Sequence, residues 1–221
     1  MSARDGYSLD DPRPIAADAP YTFFLPSEDQ LEALLPGDFV KLIVRSVPQS
    51  ERWDAERLWF TILEVRDGTL VGRLDNEPDD IPALRLGSKV GFQAYHVIDI
   101  IWNESRDSTP PPDPERREYW DRCPVDRCVT EEGAPVHYLY REEPEPKPEE
   151  ERDADSGWRI RGDYRHQRHE DLDAREVEYV ALGRVLNADD SWRHLVDSPV
   201  GSAFVRDWDT GRFVPSAEAE R

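Results

Sequence analysis

A proline-rich segment in the middle of the chain constrains the fold more than any other feature. Residues 103–118 read NESRDSTPPPDPERRE, and the run of three prolines favours extended polyproline geometry. Such a run cannot continue a helix or a central strand. Because the chain has 221 residues and a domain takes roughly 100–150 residues, we predict two small domains joined by this segment as a linker.

The rest of the predicted organisation follows from local composition. Residues 1–20 carry Asp, Ala and Pro without periodicity, which is typical of a flexible acidic arm. The first domain then covers residues 21–102 and the second covers residues 119–216, and residues 217–221 form a tail. A second polar stretch, EEPEPKPEEERDAD at residues 142–155, interrupts the second domain, and we predict a solvated loop there.

Short apolar segments alternate with turn signals in the first domain. The predicted strands are YTFFLP from residue 21, FVKLIV at 39–44, LWFTILEV at 58–65, TLVGRL at 69–74 and the apolar stretch 88–101. Asp67-Gly68 separates two of these strands and favours a two-residue hairpin turn. Ser27 and Gln30 fit a capping box that starts a helix ending at Pro36-Gly37. We predict that this helix buries Leu31, Leu34 and Leu35.

The second domain shows the same kind of pattern with more interruptions. The predicted strands are 136–140, 158–161, 201–206 and 212–214, and residues 177–186 could form a strand, a helix or both. Asp189 or Asp190 is placed to cap a short helix at 191–196. The fold class that we predict is therefore α+β: two small domains, each with a mostly antiparallel, partly rolled sheet and one or two short helices.

The charge of the chain narrows the classes of partner. Acidic residues outnumber basic residues 48 to 28, which gives a formal net charge of −20. A surface this negative repels phosphate backbones and anionic lipids, so we expect neither nucleic acid nor membrane as a partner. The chain has only two cysteines, no signal-peptide pattern and no apolar run of about 20 residues. We therefore expect a cytoplasmic protein.

Cysteine, histidine and serine residues are the candidates for sites of chemistry. Cys123 and Cys128 have the spacing of half a zinc site, and His166 and His169 offer a second pair of ligands. A buried free cysteine that packs like a small apolar residue is the simpler interpretation. Ser202 lacks the glycine of a nucleophile elbow, and neither His137 nor His194 has a partner visible in the sequence. We expect no enzyme activity, no metal and no cofactor.

Three separated motifs in the second domain carry a resemblance to a known family. They are PVHYLYREEP, then DSGWR after an acidic gap, then SPVGSAFVRD followed by GRFV. In this order they resemble the immunity protein 33 domain of bacterial polymorphic toxin systems, over about residues 121–215. The first half, about residues 21–99, resembles a companion bacterial domain of unknown function through YTFFLPS, LLPGDFVKLIV, ERLWFTI, GRLDNEP and LGSKVGFQAYHVID.

The resemblance implies a protein that neutralises a cognate toxin by binding it. Such binding needs surface complementarity rather than catalysis, and an acidic protein suits a basic target. Aromatic and arginine residues are enriched among the residues that dominate interfaces. We therefore expect the binding surface to include six residues of the second domain: Arg141, Glu142, Glu143, Asp155, Trp158 and Arg159. By residue type alone, Trp158 fits the core better than the surface.

Two other classes of function stay open at this point. The first is a small-ligand or peptide-binding regulatory module, in which the rolled sheet of the first domain holds its ligand around Trp59, Phe92 and Tyr95. An open pocket in that sheet would favour this class, and a filled interior would count against it. The second is a metal-dependent hydrolase built from the cysteines and histidines.

Overall fold

The computed structural model describes residues 6–50, 52–53, 55–66, 68–147, 152–165 and 175–216. The chain divides into two compact units. The N-terminal unit consists of Met1–Asp18 and Phe23–Arg116, and the C-terminal unit consists of Ala19–Thr22 and Arg117–Arg221. The chain therefore passes between the units three times, whereas the sequence predicted a single connection.

The described residues of the N-terminal unit form one six-stranded antiparallel sheet and two short helices. Its elements are β1 (Tyr7–Leu9), α1 (Arg13–Asp18), α2 (Glu28–Glu32), β2 (Phe39–Ser46), β3 (Glu56–Arg66), β4 (Thr69–Leu74), β5 (Lys89–Gln93) and β6 (Val97–Ile101). The strand order is β1-β2-β3-β4-β5, and β6 also pairs with β2. The predicted β3–β4 hairpin is confirmed, because Arg66 pairs with Thr69.

The sheet of the N-terminal unit is rolled. β5 lies at one end of the strand order, and β6 pairs near the other end, on β2. A single 3-10 turn, Ala94–His96, joins these two strands. Because three residues span roughly 10 Å at most, the two ends of the sheet must approach each other. The predicted partly rolled sheet is confirmed.

Apolar side chains fill the interior of this rolled sheet, which argues against a ligand site there. Phe92 is buried in the core, and its ring centroid lies 6.3 Å from that of Phe60. Trp59 points outward, with the Lys41 ammonium 4.3 Å from its ring centroid, and Tyr95 is exposed. The predicted ligand pocket around Trp59, Phe92 and Tyr95 is therefore wrong, since the three side chains do not converge on an open cavity.

The N-terminal residues depart from the sequence prediction. The flexible arm is wrong for residues 7–18, because β1 pairs with the end of β2 and α1 follows it. YTFFLP is not a strand, since no regular structure covers residues 21–26. The capping box is confirmed: the Ser27 hydroxyl accepts from the Gln30 amide, and the Gln30 side chain accepts from the Ser27 amide. α2 ends at Glu32, which leaves Leu35 41% exposed and outside the predicted stripe.

Much of the proline-rich segment that was predicted to be a linker is bonded to the N-terminal unit. Arg106 donates to the fully buried Asp38 carboxylate at 3.2 Å, and the Asn103 amide donates to the same group at 3.0 Å. Further along, the Gln30 side chain donates to Asp113 at 3.0 Å. These contacts tie residues 103–113 to the body of the unit.

The C-terminal unit contains a second six-stranded sheet. Its elements are β7 (Arg122–Asp126), α3 (Arg127–Glu131), β8 (Val136–Arg141), β9 (Trp158–Gly162), β10 (Val177–Ala181), α4 (Leu182–Ala188), β11 (Ala203–Arg206) and β12 (Phe213–Pro215). The strand order is β10-β7-β9-β8-β11-β12, and every pair except β7–β9 is antiparallel. The segment left open between strand and helix forms both, and the α+β prediction is confirmed.

One face of this second sheet is covered. Its inward side chains form one core with residues of α3, of α4 and of the turn after α4, including Val129 from α3, Val185 from α4 and Trp192. The inward strand residues are Cys123, Val125, Val136, Leu139, Trp158, Ile160 and Phe213. Because side chains alternate along a strand, the neighbours of these residues point to the opposite face.

Candidate protein-binding surface

The opposite side of the C-terminal sheet, which we call the open face, carries tyrosines, arginines and valines. Strand register places Tyr140 beside Arg159 and Tyr138 beside Arg161. The open face comprises Arg122, Pro124, Tyr138, Tyr140, Arg159, Arg161, Val177, Tyr179, Val205 and Val214. The buried residues of α3 and α4 belong to the core on the other side.

The open face has the composition of an interface. Val177 is 51% exposed, Val214 41% and Tyr179 38%, so apolar and aromatic surface meets solvent at both edges of the sheet. The Tyr138 and Tyr140 rings lie 5.6 Å apart, and the Arg122 guanidinium lies 4.9 Å from the Tyr179 ring. Tyrosine and arginine are enriched at the residues that dominate binding energy, which makes this face the best candidate for a partner.

Arg159 is held in place by carboxylates on this face. Its Nη1 and Nη2 atoms donate to the two oxygens of Asp155, each at 3.0 Å, and its Nε donates to Glu142 at 3.1 Å. The fork of the guanidinium matches a carboxylate in this bidentate geometry. Burial opposes ionisation of Asp155, but hydrogen bonds from Arg159 and from the Glu145 and Gly157 amides outweigh it, so the pKa of Asp155 is lowered.

A second buried carboxylate supports the neighbouring arginine. Asp126 accepts from Arg161 at 2.9 Å, from Arg175 at 2.6 Å and from the Gly162 amide at 3.0 Å. The Asp126 side chain is almost fully buried, whereas 43% of the Arg161 side chain is exposed. Arg161 is therefore anchored at one end and open to a partner at the other.

Acidic residues lie beside the arginines, where β8 leads into the polar stretch. Glu142, Glu143 and Glu145 are exposed, and the Glu145 amide donates to Asp155 at 2.8 Å. The full stretch 142–155 contains six glutamates and two aspartates against one lysine and one arginine. The exposed Glu142, Glu143 and Glu145 therefore give this edge of the open face a negative charge.

The six residues expected at the binding surface fall into two groups. Asp155, Arg159 and Glu142 form the cluster on the open face, and Glu143 is exposed next to it. Arg141 and Trp158 pair on the other side of the sheet, where Trp158 is 0% exposed and donates to the Val196 carbonyl at 3.1 Å. The prediction that Trp158 touches a partner is wrong, whereas the core position that its residue type favours is confirmed.

Arg141 also has a structural role. Its guanidinium donates to the carbonyl of Ser198 at 2.7 Å, to that of Ser156 at 3.1 Å and to that of Val196 at 3.3 Å. These bonds join the end of β8 to the residues just before β9 and to the loop before β11. Arg141 therefore supports the surface from behind.

Sequence reasoning missed the tyrosines and Arg161. The signal was present in the strand WRIRG, where Trp158 and Ile160 alternate with Arg159 and Arg161. A period of two places the arginines together on the face opposite the tryptophan. The sequence does not predict that Tyr179 lies on an exposed edge strand, because the pattern of residues 177–186 fits a helix and a strand equally well.

In the part of the chain that the structure describes, neither cysteine of the predicted half zinc site has the surroundings of a metal ligand. Cys123 is fully buried, and burial, followed by the charge of Asp155, raises the pKa of its thiol far above the usual range. Burial also raises the pKa of Cys128. His166 and His169 lie outside the described residues. Among the residues that are described, no group of three or more His, Cys, Asp or Glu side chains could hold a metal ion.

His137 is occupied by structural contacts. The Trp208 indole donates to its Nδ1 at 3.3 Å, and the Tyr164 ring centroid lies 4.2 Å from its own. Burial lowers the pKa of His137, although the nearby Asp163 carboxylate opposes that effect. The neutral imidazole therefore packs between aromatic rings.

Within the described parts of the chain, no helix has the length and apolar character needed to cross a membrane. No curated protein and no solved structure is significantly similar to the chain. The resemblance predicted for the N-terminal half gains no support from these comparisons. Residues 123–217, which make up most of the C-terminal unit, match the family model described as the immunity protein Imm33 domain, as the three sequence motifs predicted.

Proposed function

We propose that this chain neutralises a toxin by binding it directly, without catalysis, through the open face of its C-terminal unit. The observation that carries the proposal is the match of residues 123–217 to an immunity protein family. The open face supplies what such binding requires, since it combines tyrosine, anchored arginine and exposed apolar surface. The N-terminal unit acts as a scaffold or as a second binding surface.

The partner that fits best is a toxin with a basic surface. The net charge of −20 attracts a basic protein over long range, and the exposed Glu142 and Glu143 lie where the open face meets the acidic stretch. Asp155 and Arg159 hold this edge in position, and Arg141 and Trp158 support it from the core side. Each of the six residues therefore has a role in binding: the exposed residues touch the partner, and the buried residues hold the surface in position.

A toxicity-rescue assay tests the proposal. The full chain is co-expressed with the products of adjacent genes, and survival and co-purification are measured together. We expect one neighbouring product to be toxic alone, harmless with this chain and retained on it. The double reversal Glu142→Arg and Glu143→Arg should reduce rescue, because it replaces attraction with repulsion at the binding edge.

The matched control is the double reversal Glu131→Arg and Glu132→Arg, which changes the charge by the same amount at the end of α3, on the covered side of the sheet. Among the described residues, the ion pair that it removes is the surface pair between Glu131 and Arg184, so folding should be almost unchanged. Equal rescue by both double variants would reject the proposed edge. If no neighbouring product is toxic or binds, the proposed function itself is rejected.

A further inference from the structure

Four residues from the N-terminal part of the chain belong to the C-terminal unit. Ala19–Thr22 cluster with Arg117–Arg221, although the residues before and after them cluster with the other unit. The Thr22 amide donates to the Ala19 carbonyl at 3.2 Å, so the segment forms a tight turn. This turn lies outside the stretch that matches the immunity protein family.

Asn187 of α4 forms hydrogen bonds with both the backbone and a side chain of this segment. Asn187 Oδ1 accepts from the Tyr21 amide at 2.9 Å, and Asn187 Nδ2 donates to the Thr22 hydroxyl at 2.7 Å. Because a side-chain amide has an acceptor and a donor side by side, it matches this pair of groups. A residue without a hydroxyl at position 22 would leave the Nδ2 donor without this partner.

The Tyr21 side chain is recognised separately. Its hydroxyl donates to Asp190 Oδ2 at 2.7 Å, and its ring meets the Tyr119 ring edge-on, with centroids 5.8 Å apart. The Arg193 guanidinium lies 5.5 Å from the ring centroid of Tyr21. The ring also packs against the core of the C-terminal unit.

Gly183 makes room for the segment. A Cβ atom at this position would lie 2.7 Å from the Tyr21 carbonyl oxygen and 2.9 Å from the Thr22 methyl carbon. Both distances are shorter than real Cβ contacts, and the first is to backbone, which cannot swing aside. A glycine at the second position of α4 therefore allows the close approach on which the bonds to Asn187 depend.

We propose that Gly183, Asn187 and Asp190 form a peptide-recognition notch for a Tyr-Thr segment at the end of a tight turn, which Tyr21 and Thr22 of the same chain occupy. The notch is a binding site separate from the open face, and it makes the C-terminal unit a module of two pieces of chain. The notch recognises three groups of its occupant. Asp190 accepts from the phenol, Asn187 accepts from the backbone amide of the same residue, and Asn187 donates to the hydroxyl of the next residue. Binding at the notch does not depend on the toxin.

The test supplies the segment from outside. In the full chain, Tyr21→Ala and Thr22→Ala together remove the phenol and the hydroxyl that the notch binds, which gives the emptied chain. The probe is a capped peptide with the sequence of residues 18–23, DAPYTF. We expect saturable binding in calorimetry and a rise in the melting temperature of the variant. A peptide with phenylalanine in place of the tyrosine should bind about tenfold more weakly, because it loses a hydrogen bond to a carboxylate.

Two controls keep the test decisive. Adding Asn187→Ala to the emptied chain should abolish binding of DAPYTF, and equal binding of this peptide and an alanine-substituted peptide would overturn the notch. If the emptied chain does not fold, hydrogen exchange on the unaltered chain decides. The Tyr21 amide should then exchange as slowly as the amides of α4, and exchange at the rate of an open chain would overturn the proposal.

Discussion

Arg159 and Asp155 illustrate how single residues prepare the open face. Two parallel hydrogen bonds of 3.0 Å to Asp155 fix the Arg159 guanidinium in the absence of a partner, and its Nε donates a third bond to Glu142. A side chain that is already immobilised loses less entropy on binding, which favours tight association. The pair is also partly withdrawn from water, since only 3% of the Asp155 side chain is exposed.

The lowered pKa of Asp155 makes part of the stability depend on pH. Because the folded-state pKa lies below the unfolded value of about 3.9, the ionised group stabilises the fold above that pH, and the contribution is lost as pH falls through the folded pKa. Asp155→Asn should lower the free energy of unfolding by about 2 kcal/mol at pH 7. Urea unfolding should show this difference shrinking below pH 4, and a constant difference down to pH 2 would contradict the assignment.

Trp158 should matter for stability rather than for contact. It is fully buried, its ring centroid lies 5.9 Å from that of Trp192, and its indole is hydrogen-bonded to Val196. Trp158→Ala should therefore cost about 3–5 kcal/mol in the free energy of unfolding, measured by chemical denaturation. Trp53→Ala, at an exposed site in the other unit, is the control and should cost less than about 0.5 kcal/mol. Similar costs for both would contradict the burial.

At the scale of elements, β8 and β9 are joined closely at the end where the acidic stretch leaves the sheet. The Glu142 amide donates to the Gly157 carbonyl at 2.8 Å, and Gly157 has φ of +80°. A Cβ atom on Gly157 would clash with the Glu142 carbonyl oxygen. This close approach positions Glu142 beside Arg159.

Gly157→Ala should therefore destabilise the unit more than a comparable change elsewhere. Gly133 has φ of +71° but open space around it, so Gly133→Ala meets only backbone strain of about 1–2 kcal/mol. Gly157→Ala adds a clash with backbone, and we expect a loss of about 3 kcal/mol or more. Thermal unfolding of the two variants compares them directly, and equal losses would show that the approach of Glu142 is not needed.

Elements that depend on neighbouring residues could be predicted from the sequence. Elements that depend on contacts between residues far apart in the chain could not. The capping box at Ser27 and the β3–β4 hairpin depend on neighbouring residues, so both were readable. β1 has only three residues and exists because it pairs with the end of β2, some 37 positions later in the register, which leaves no local pattern. The open face was only half predictable, because it combines strands that are far apart in sequence.

At the scale of the whole molecule, net charge should govern the rate of association more than its lifetime. A charge of −20 steers a basic partner over a distance that salt shortens, since the Debye length falls from about 10 Å at 0.1 M to about 3 Å at 1 M. The association rate with the toxin should fall about tenfold or more between 0.05 and 0.5 M NaCl, with a much smaller change in dissociation. Surface plasmon resonance separates the two rates, and an association rate independent of salt would exclude steering.

The most direct measurement of the central claim is titration calorimetry of the full chain with the purified product of an adjacent gene that proves toxic in the rescue assay. We predict a Kd in the nanomolar range or tighter, and an increase of about thirtyfold or more for Tyr140→Ala on the open face. Tyr95→Ala, an exposed tyrosine in the N-terminal unit, should leave Kd unchanged, and both variants should be confirmed as folded by their unfolding curves. A Kd that Tyr140→Ala does not alter would place the toxin elsewhere, and no detectable heat of binding would contradict direct neutralisation.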